Sequence, residues 1–222
     1  MQRSVVSIVS SVSTVFAFSM LLAAQAAAQL RDVGLVNLVS GEVRFTPVNG
    51  ASAPVKPFMR VREGDRFNLV LGAQLRVVFF EGARQERWFG PSSFRAARAQ
   101  GEAISGAPTE ITRLPAGVPQ RIARIPELMQ NAKLGGIRVR GAAPLPVDKS
   151  AETLAEARAT YQEMKRALPP DDIAPELYYY AALEEHEKYG EMRAVVAEMQ
   201  RKQPQSADVN ALAEWVKKKT GG

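Results

Sequence analysis

An α+β fold in two modules is what this sequence predicts: an N-terminal β sandwich or roll, then C-terminal antiparallel helical hairpins. Two observations predict it. Up to about residue 140, apolar residues come in short branched and aromatic runs cut by Gly and Pro; beyond residue 151 they recur every three or four positions. The charge changes sign at the same place, residues 30–150 holding 18 Lys or Arg against 10 Asp or Glu and residues 151–222 holding 10 against 13. This shift places a boundary near Pro144 to Lys149 and predicts segments 1–29, 30–148 and 149–222.

The first segment has Arg3, an apolar run from Val5 to Leu22 diluted by serines, and the small residues Ala26-Ala27-Ala28. That order is the pattern of a secretory signal peptide with its cleavage site. Uncleaved, the same run would be an N-terminal membrane anchor. Either way the expected location of the remaining chain is periplasmic or secreted, and no second apolar stretch of membrane length follows. The chain has no cysteine, so neither disulfides nor thiolate chemistry contribute, and stability rests on packing.

Strands are expected along 34–45 with a bend, bulge or close crossing at Gly41, and then at Phe58–Val61, Arg66–Leu71, Leu75–Phe80, Gln85–Phe89 and Ser93–Ala96. Glu81-Gly82-Ala83-Arg84 makes Leu75–Phe80 and Gln85–Phe89 a hairpin whose aromatics should meet, and Gly64-Asp65 makes another turn. Ile111-Thr112 and Ile137–Val139 are weaker strand signals. Between them, Ile122, Ile125, Leu128 and Met129 suit one amphipathic helix over 120–134, limited or kinked by Pro126.

The segments VNLVSGEVRF, MRVREGDRF, AQLRVVFFEGARQERWFG and PSSFRA resemble the FecR-type extracytoplasmic β domain over residues 34–97. Gly41 and Val43 match its opening strand, Gly64 and Asp65 its Gly-Asp turn, and Gly82 and Pro91 its later turns. FecR couples an outer-membrane receptor to a cytoplasmic sigma-factor system. This sequence departs from that layout, with no cytoplasmic N-terminal domain and no internal membrane crossing, so the resemblance implies a fold rather than iron signalling.

In the last segment, Leu154, Ala157, Tyr161, Met164 and Leu168 give a helix stopped by Pro169-Pro170. Ile173, Leu177, Tyr180, Ala181 and Leu183 give a second, expected to end near Gly190. Met192, Val195, Val196 and Met199 give a third, ended by Pro204, and Val209 to Val216 the last. Ala157, Tyr161, Met164 and Pro169 recur 35 residues later as Met192, Val196, Met199 and Pro204, while Leu177, Tyr180 and Ala181 recur as Leu212, Trp215 and Val216. A fixed offset that keeps both apolar positions and the closing proline marks a helical-pair repeat. Its period and the pattern from Tyr189-Gly190 to Pro204 resemble the tetratricopeptide repeat, although two units are fewer than a free-standing superhelix normally has.

Catalytic material is scarce, and a non-catalytic role without cofactor or metal is expected. His186, the only histidine, sits among Glu184, Glu185, Glu187 and Lys188, whose spacing on a helix does not converge on an ion. Glu81 and Glu86 flank the hairpin and leave a carboxylate-dependent hydrolase as a remote alternative, but Arg84 and Arg87 are equally placed to pair with them. Gly135-Gly136 lacks the lysine and spacing of a phosphate loop. Arg84, Arg87, Arg95 and Arg98, near Trp88, Phe89 and Phe94, are candidates for an anionic envelope component such as peptidoglycan or lipopolysaccharide, or for a solvated surface; export disfavours nucleic acid. Of three consecutive tyrosines, Tyr180 belongs to the repeat core. Tyr178 and Tyr179 are candidate anchors to the β segment or to an envelope protein, because three adjacent rings span more than one helix face.

Overall fold

The computed structural model describes residues 31–134 and 152–221. The expected signal segment, the expected boundary near Pro144 to Lys149, the strand expected at Ile137–Val139 and the pair Gly135-Gly136 lie outside them. Among the described residues the architecture is mixed α+β, with ten N-terminal strands in two antiparallel sheets and four long C-terminal helices.

Strands β1 (Asp32–Ser40), β4 (Arg60–Arg62), β6 (Gln74–Phe79), β7 (Arg84–Phe89) and β10 (Glu110–Arg113) form the first sheet in the order β10-β7-β6-β1-β4. The second has the order β3-β2-β5-β8-β9, from β2 (Val43–Thr46), β3 (Ala53–Pro54), β5 (Arg66–Leu69), β8 (Ser92–Ala96) and β9 (Gly101–Ser105). Gly41 makes the step from β1 in one sheet to β2 in the other. Its φ is +72°, and a Cβ there would lie 2.9 Å from the Ala73 Cα, so both conformation and space call for glycine.

Alternation along the strands points Val36, Leu75, Val77 and Trp88 of the first sheet and Phe67, Leu69 and Phe94 of the second into one buried cluster. Within it Trp88 stacks on Phe94 at 4.4 Å, and Phe94 on Phe67 at 4.9 Å. The β6–β7 hairpin forms as expected, but its aromatics do not pair with each other: Leu75 stands opposite Trp88, whose ring reaches across to the other sheet. Two strands have no sequence signal. β3 is two residues long, and β9, GEAIS, is a largely exposed edge without apolar alternation.

The single helix expected over 120–134 is two, α1 (Val118–Ile122) and α2 (Ile125–Lys133), with Pro126 in the first turn of the second. Proline is tolerated there because the first-turn N–H has no intrahelical acceptor. The four long helices are α3 (Leu154–Ala167), α4 (Ala174–Glu185), α5 (Tyr189–Lys202) and α6 (Ala207–Lys219). α3 and α5 start and stop 35 residues apart, at the offset of the sequence repeat. Thr153 and Glu156 close a capping box on α3, and Ser206 caps α6. The second helix ends earlier than Gly190 suggests: His186 is its C-cap, Glu187 takes φ +54°, and Gly190 lies in the first turn of α5.

The helices cover the outer face of the first sheet. Leu35, Phe58 and Val78 share one apolar cluster with Ile122, Ile125 and Leu128 of α1–α2 and with Leu177, Val196 and Leu212 of the long helices. α4 is the central helix, packed against α1, α3 and α5, and every residue from Ala174 to Leu183 is buried. Among the described residues no helix is long and apolar enough to cross a membrane.

Candidate functional site

The seam between sheet and helices is charged as well as apolar. The outward positions of β1, β6 and β7 present Asn37, Arg76, Gln85 and Arg87, and the loop between α3 and α4 lays Asp171 and Asp172 on them. Asp172, fully buried, is the hub. It accepts hydrogen bonds from Asn37 Nδ2 at 3.3 Å, from Gln85 Nε2 and from the Ala174 N–H at 2.9 Å, with Arg76 Nη1 at 3.5 Å. Its carbonyl accepts from Lys202 Nζ at 2.7 Å, and the same ammonium meets the buried Glu176 carboxylate at 2.8 Å. Gln203 donates to the Asn37 carbonyl at 2.9 Å. Arg76 and Arg87 are direct cross-strand neighbours, a repulsive arrangement that Asp171 relieves from 3.2 and 3.9 Å.

A second charged cluster binds α1 to the long helices. Arg121, 6% exposed, reaches Glu185 at 3.0 Å, the Tyr178 hydroxyl at 3.1 Å and Glu152. Arg124 engages Glu184 at 3.2 Å and Glu185. The Tyr178 hydroxyl donates to Glu152 at 2.8 Å, and burial first, then that bond, pushes it up to about 12. The opposite charges of the two halves therefore meet inside the molecule, and much of the charge imbalance in the sequence is internal complementarity.

Burial pushes three of the interior carboxyls up from their ordinary range. Asp172 rises against the pull of Arg76, the Ala174 N–H and Gln85; Glu176 rises against Lys202; and Glu86, inside the β core, rises against the Trp88 N–H, Arg84 and the Gly101 N–H. A carboxyl whose folded value lies above its unfolded one contributes stability below the unfolded value, and that contribution is lost as pH rises through the folded value. Asp172→Asn, which removes this ionisation while keeping the side-chain shape, is therefore expected to flatten the fall of melting temperature with rising pH relative to the parent. Melting curves of the two proteins that keep the same pH dependence would refute this.

The sequence-predicted arginines do not form one face. Arg84 and Arg87 lie on β7 with opposite parity: Arg84 turns to Glu86 at 2.7 Å, and Arg87 to Glu110 at 3.6 Å and the helical seam. Arg95 is on the second sheet, paired with Glu102, and Arg98 follows it, paired with Glu63 at 3.2 Å. Glu81 and Glu86 do not converge, one sitting in the turn 3.7 Å from Arg31 and the other being fully buried. His186 is exposed, and among the described residues no group of three or more His, Asp or Glu is placed to hold a metal.

Tyr178 and Tyr179 are buried too, 1% and 5% exposed, the first beneath α1 and the second between α3 and α5. Neither is an exposed anchor. Tyr178 meets α1, whereas Tyr179 stacks on Tyr161 at 4.7 Å and floors a groove of about 400 Å³ between α3 and α5. Arg158 and Lys165 stand on its α3 wall, Glu191 and Glu198 on its α5 wall, and Val195 adds apolar lining. Arg158 crosses it, donating to the Tyr179 hydroxyl at 3.0 Å and pairing with Glu191 at 2.6 Å.

Comparison of the chain with protein-family models, with curated proteins and with solved structures finds no match.

Proposed function

We propose that this chain is a non-catalytic periplasmic binding or assembly factor, in which a FecR-like β sandwich carries a tetratricopeptide-like pair of helical hairpins and the helices receive a segment of an envelope protein. The α3–α5 groove carries this reading. The two helices that repeat at 35 residues flank it, one wall basic and the other acidic, with two stacked tyrosines at its base. Such a trough suits a peptide bearing both charges, since its oppositely charged walls set the orientation of the segment that lies between them. The most buried charged side chains, Arg76, Asp172, Glu176 and Glu86, are engaged in holding the fold. The shared core of the two sheets and the hairpin order support the sandwich, and the paired helix bounds support the repeat.

The test places a photo-crosslinking residue at Gln162 or Ala194 in the groove, with exposed Glu214 of α6 as control, in cells that export the full chain. Discrete adducts from the first two positions and none from the third are the expected result. Adducts equally strong at Glu214, or none at all, would remove the groove from the mechanism.

A further inference from the structure

The second sheet turns a different surface to solvent, on the side of the first sheet away from the helices. Strand alternation puts Arg44 and Thr46 of β2, Arg66 and Asn68 of β5 and Arg95 of β8 on that outer face. Register makes Thr46, Arg66, Arg95 and Glu102 one cross-strand row, so two guanidinium groups stand directly opposite each other. Like charges so placed repel. Glu102 answers Arg95, with an Nε to Oε2 distance of 3.1 Å, but Arg66 has no carboxylate at ion-pair distance among the described residues. Arg44 is held in place by the Ser52 hydroxyl at 3.2 Å and the Ser52 carbonyl at 3.1 Å.

Beside the arginine pair lies a depression of about 380 Å³ whose other walls are Thr46, Pro47, Val48 and Gly64. Val48, 51% exposed, is one of the few large apolar side chains open to solvent. Gly64 makes room for it: with φ +92°, a Cβ at that position would come within 2.5 Å of Val48 Cγ2. The guanidinium fork of Arg66, the remaining N–H groups of Arg95, whose Nε and Nη2 both bond Glu102, an apolar patch and Thr46 thus line one shallow concavity. Guanidinium matches a carboxylate bidentately, Pro47 and Val48 offer a surface for the C–H face of a pyranose, and Thr46 can bond a ring hydroxyl. A bare anion would leave the apolar patch unused, and a flat bilayer surface would not enter a concavity.

We propose that this depression binds a carboxylate-bearing sugar of an acidic glycan, with Arg66 and Arg95 holding the carboxylate. The site rests on the envelope-binding role proposed above and is separate from the groove. Its test is titration of the full chain with an oligogalacturonate, alongside its methyl ester and vesicles containing phosphatidylglycerol. Binding to the acid is expected to weaken with salt and to be lost with the ester. Arg66→Gln with Arg95→Gln, melting as the parent does, is expected to lower affinity about tenfold or more. Val48→Ser is expected to weaken binding while leaving its salt dependence unchanged. Equal binding of the ester, binding unaffected by the double substitution, or vesicles bound more tightly than the oligosaccharide through the same arginines would overturn the proposal. Crosslinking from Gln162 that persists while oligogalacturonate fails to bind would overturn this site alone; the converse would overturn the groove alone.

Discussion

Arg76→Ala is expected to destabilise the chain by about 3–5 kcal/mol, the cost of leaving a buried charge without its partner. Arg76 is 1% exposed, and Asp172, which is fully buried, has it as its cationic partner within ion-pair distance. Removing the guanidinium leaves Asp172 with neutral donors from Gln85, Asn37 and the Ala174 N–H. Ionised, that carboxylate would sit in a low dielectric; protonated, it would lose an acceptor that the seam requires. Arg76→Met, similar in length, should cost a comparable amount, showing that charge rather than volume is responsible. Arg76→Met with Asp172→Leu should recover part of the loss, because exchanging both partners of a buried pair for apolar residues is often neutral. Urea unfolding of the single and double variants measures this. A loss under about 1 kcal/mol for Arg76→Ala would place the pair among weak surface bridges and undo its role in the seam.

Most strands and all four long helices were legible in the sequence, each for a local reason. Branched and aromatic runs marked β1, β5, β6 and β7, and a three-to-four spacing with closing prolines marked α3 to α6. β9 and β3 were not legible, because edge strands owe their conformation to a neighbour's hydrogen bonds more than to their own side chains. The seam was hidden for another reason. Asn37, Arg76 and Gln85 occupy positions that alternation assigns to a solvent face, and Asp171-Asp172 reads as the polar end of a proline turn. A signal was present nonetheless: Leu35 and Val78 share that face with them, and a face mixing apolar with charged residues is one that another layer covers. Of the adjacent tyrosines, Tyr178 reaches Arg121 of α1 in the strand-rich segment, whereas Tyr179 is enclosed by Tyr161 and Arg158 of α3; which ring meets which element depends on tertiary packing that helix spacing alone does not reveal. Arg84, Arg87, Arg95 and Arg98 lie on separate faces because parity and sheet membership depend on pairing that spacing along the chain does not reveal.

The helical segment alone, residues 151–222, is expected not to fold cooperatively, although it contains all four long helices. Its core is incomplete without the rest. Leu35, Phe58 and Val78 from the strand-rich part and Val118, Ile122, Ile125, Leu128 and Met129 from α1–α2 belong to the same buried cluster as Leu177, Val196 and Leu212. At about 1.5–3 kcal/mol for each large apolar side chain removed from water, losing contact with these eight side chains forfeits at least about 10 kcal/mol. Whole domains are stable by only about 5–15 kcal/mol. Charge adds to the deficit: Asp172 loses Arg76, Tyr178 loses Arg121, and Glu184 and Glu185 lose Arg124. Circular dichroism melts of the full chain and of residues 151–222 decide the matter. The full chain should give one sharp transition, and the fragment a low helical signal that declines gradually with temperature. A fragment melting sharply at the full-chain temperature would mean that the hairpins stabilise one another and that the seam merely positions them.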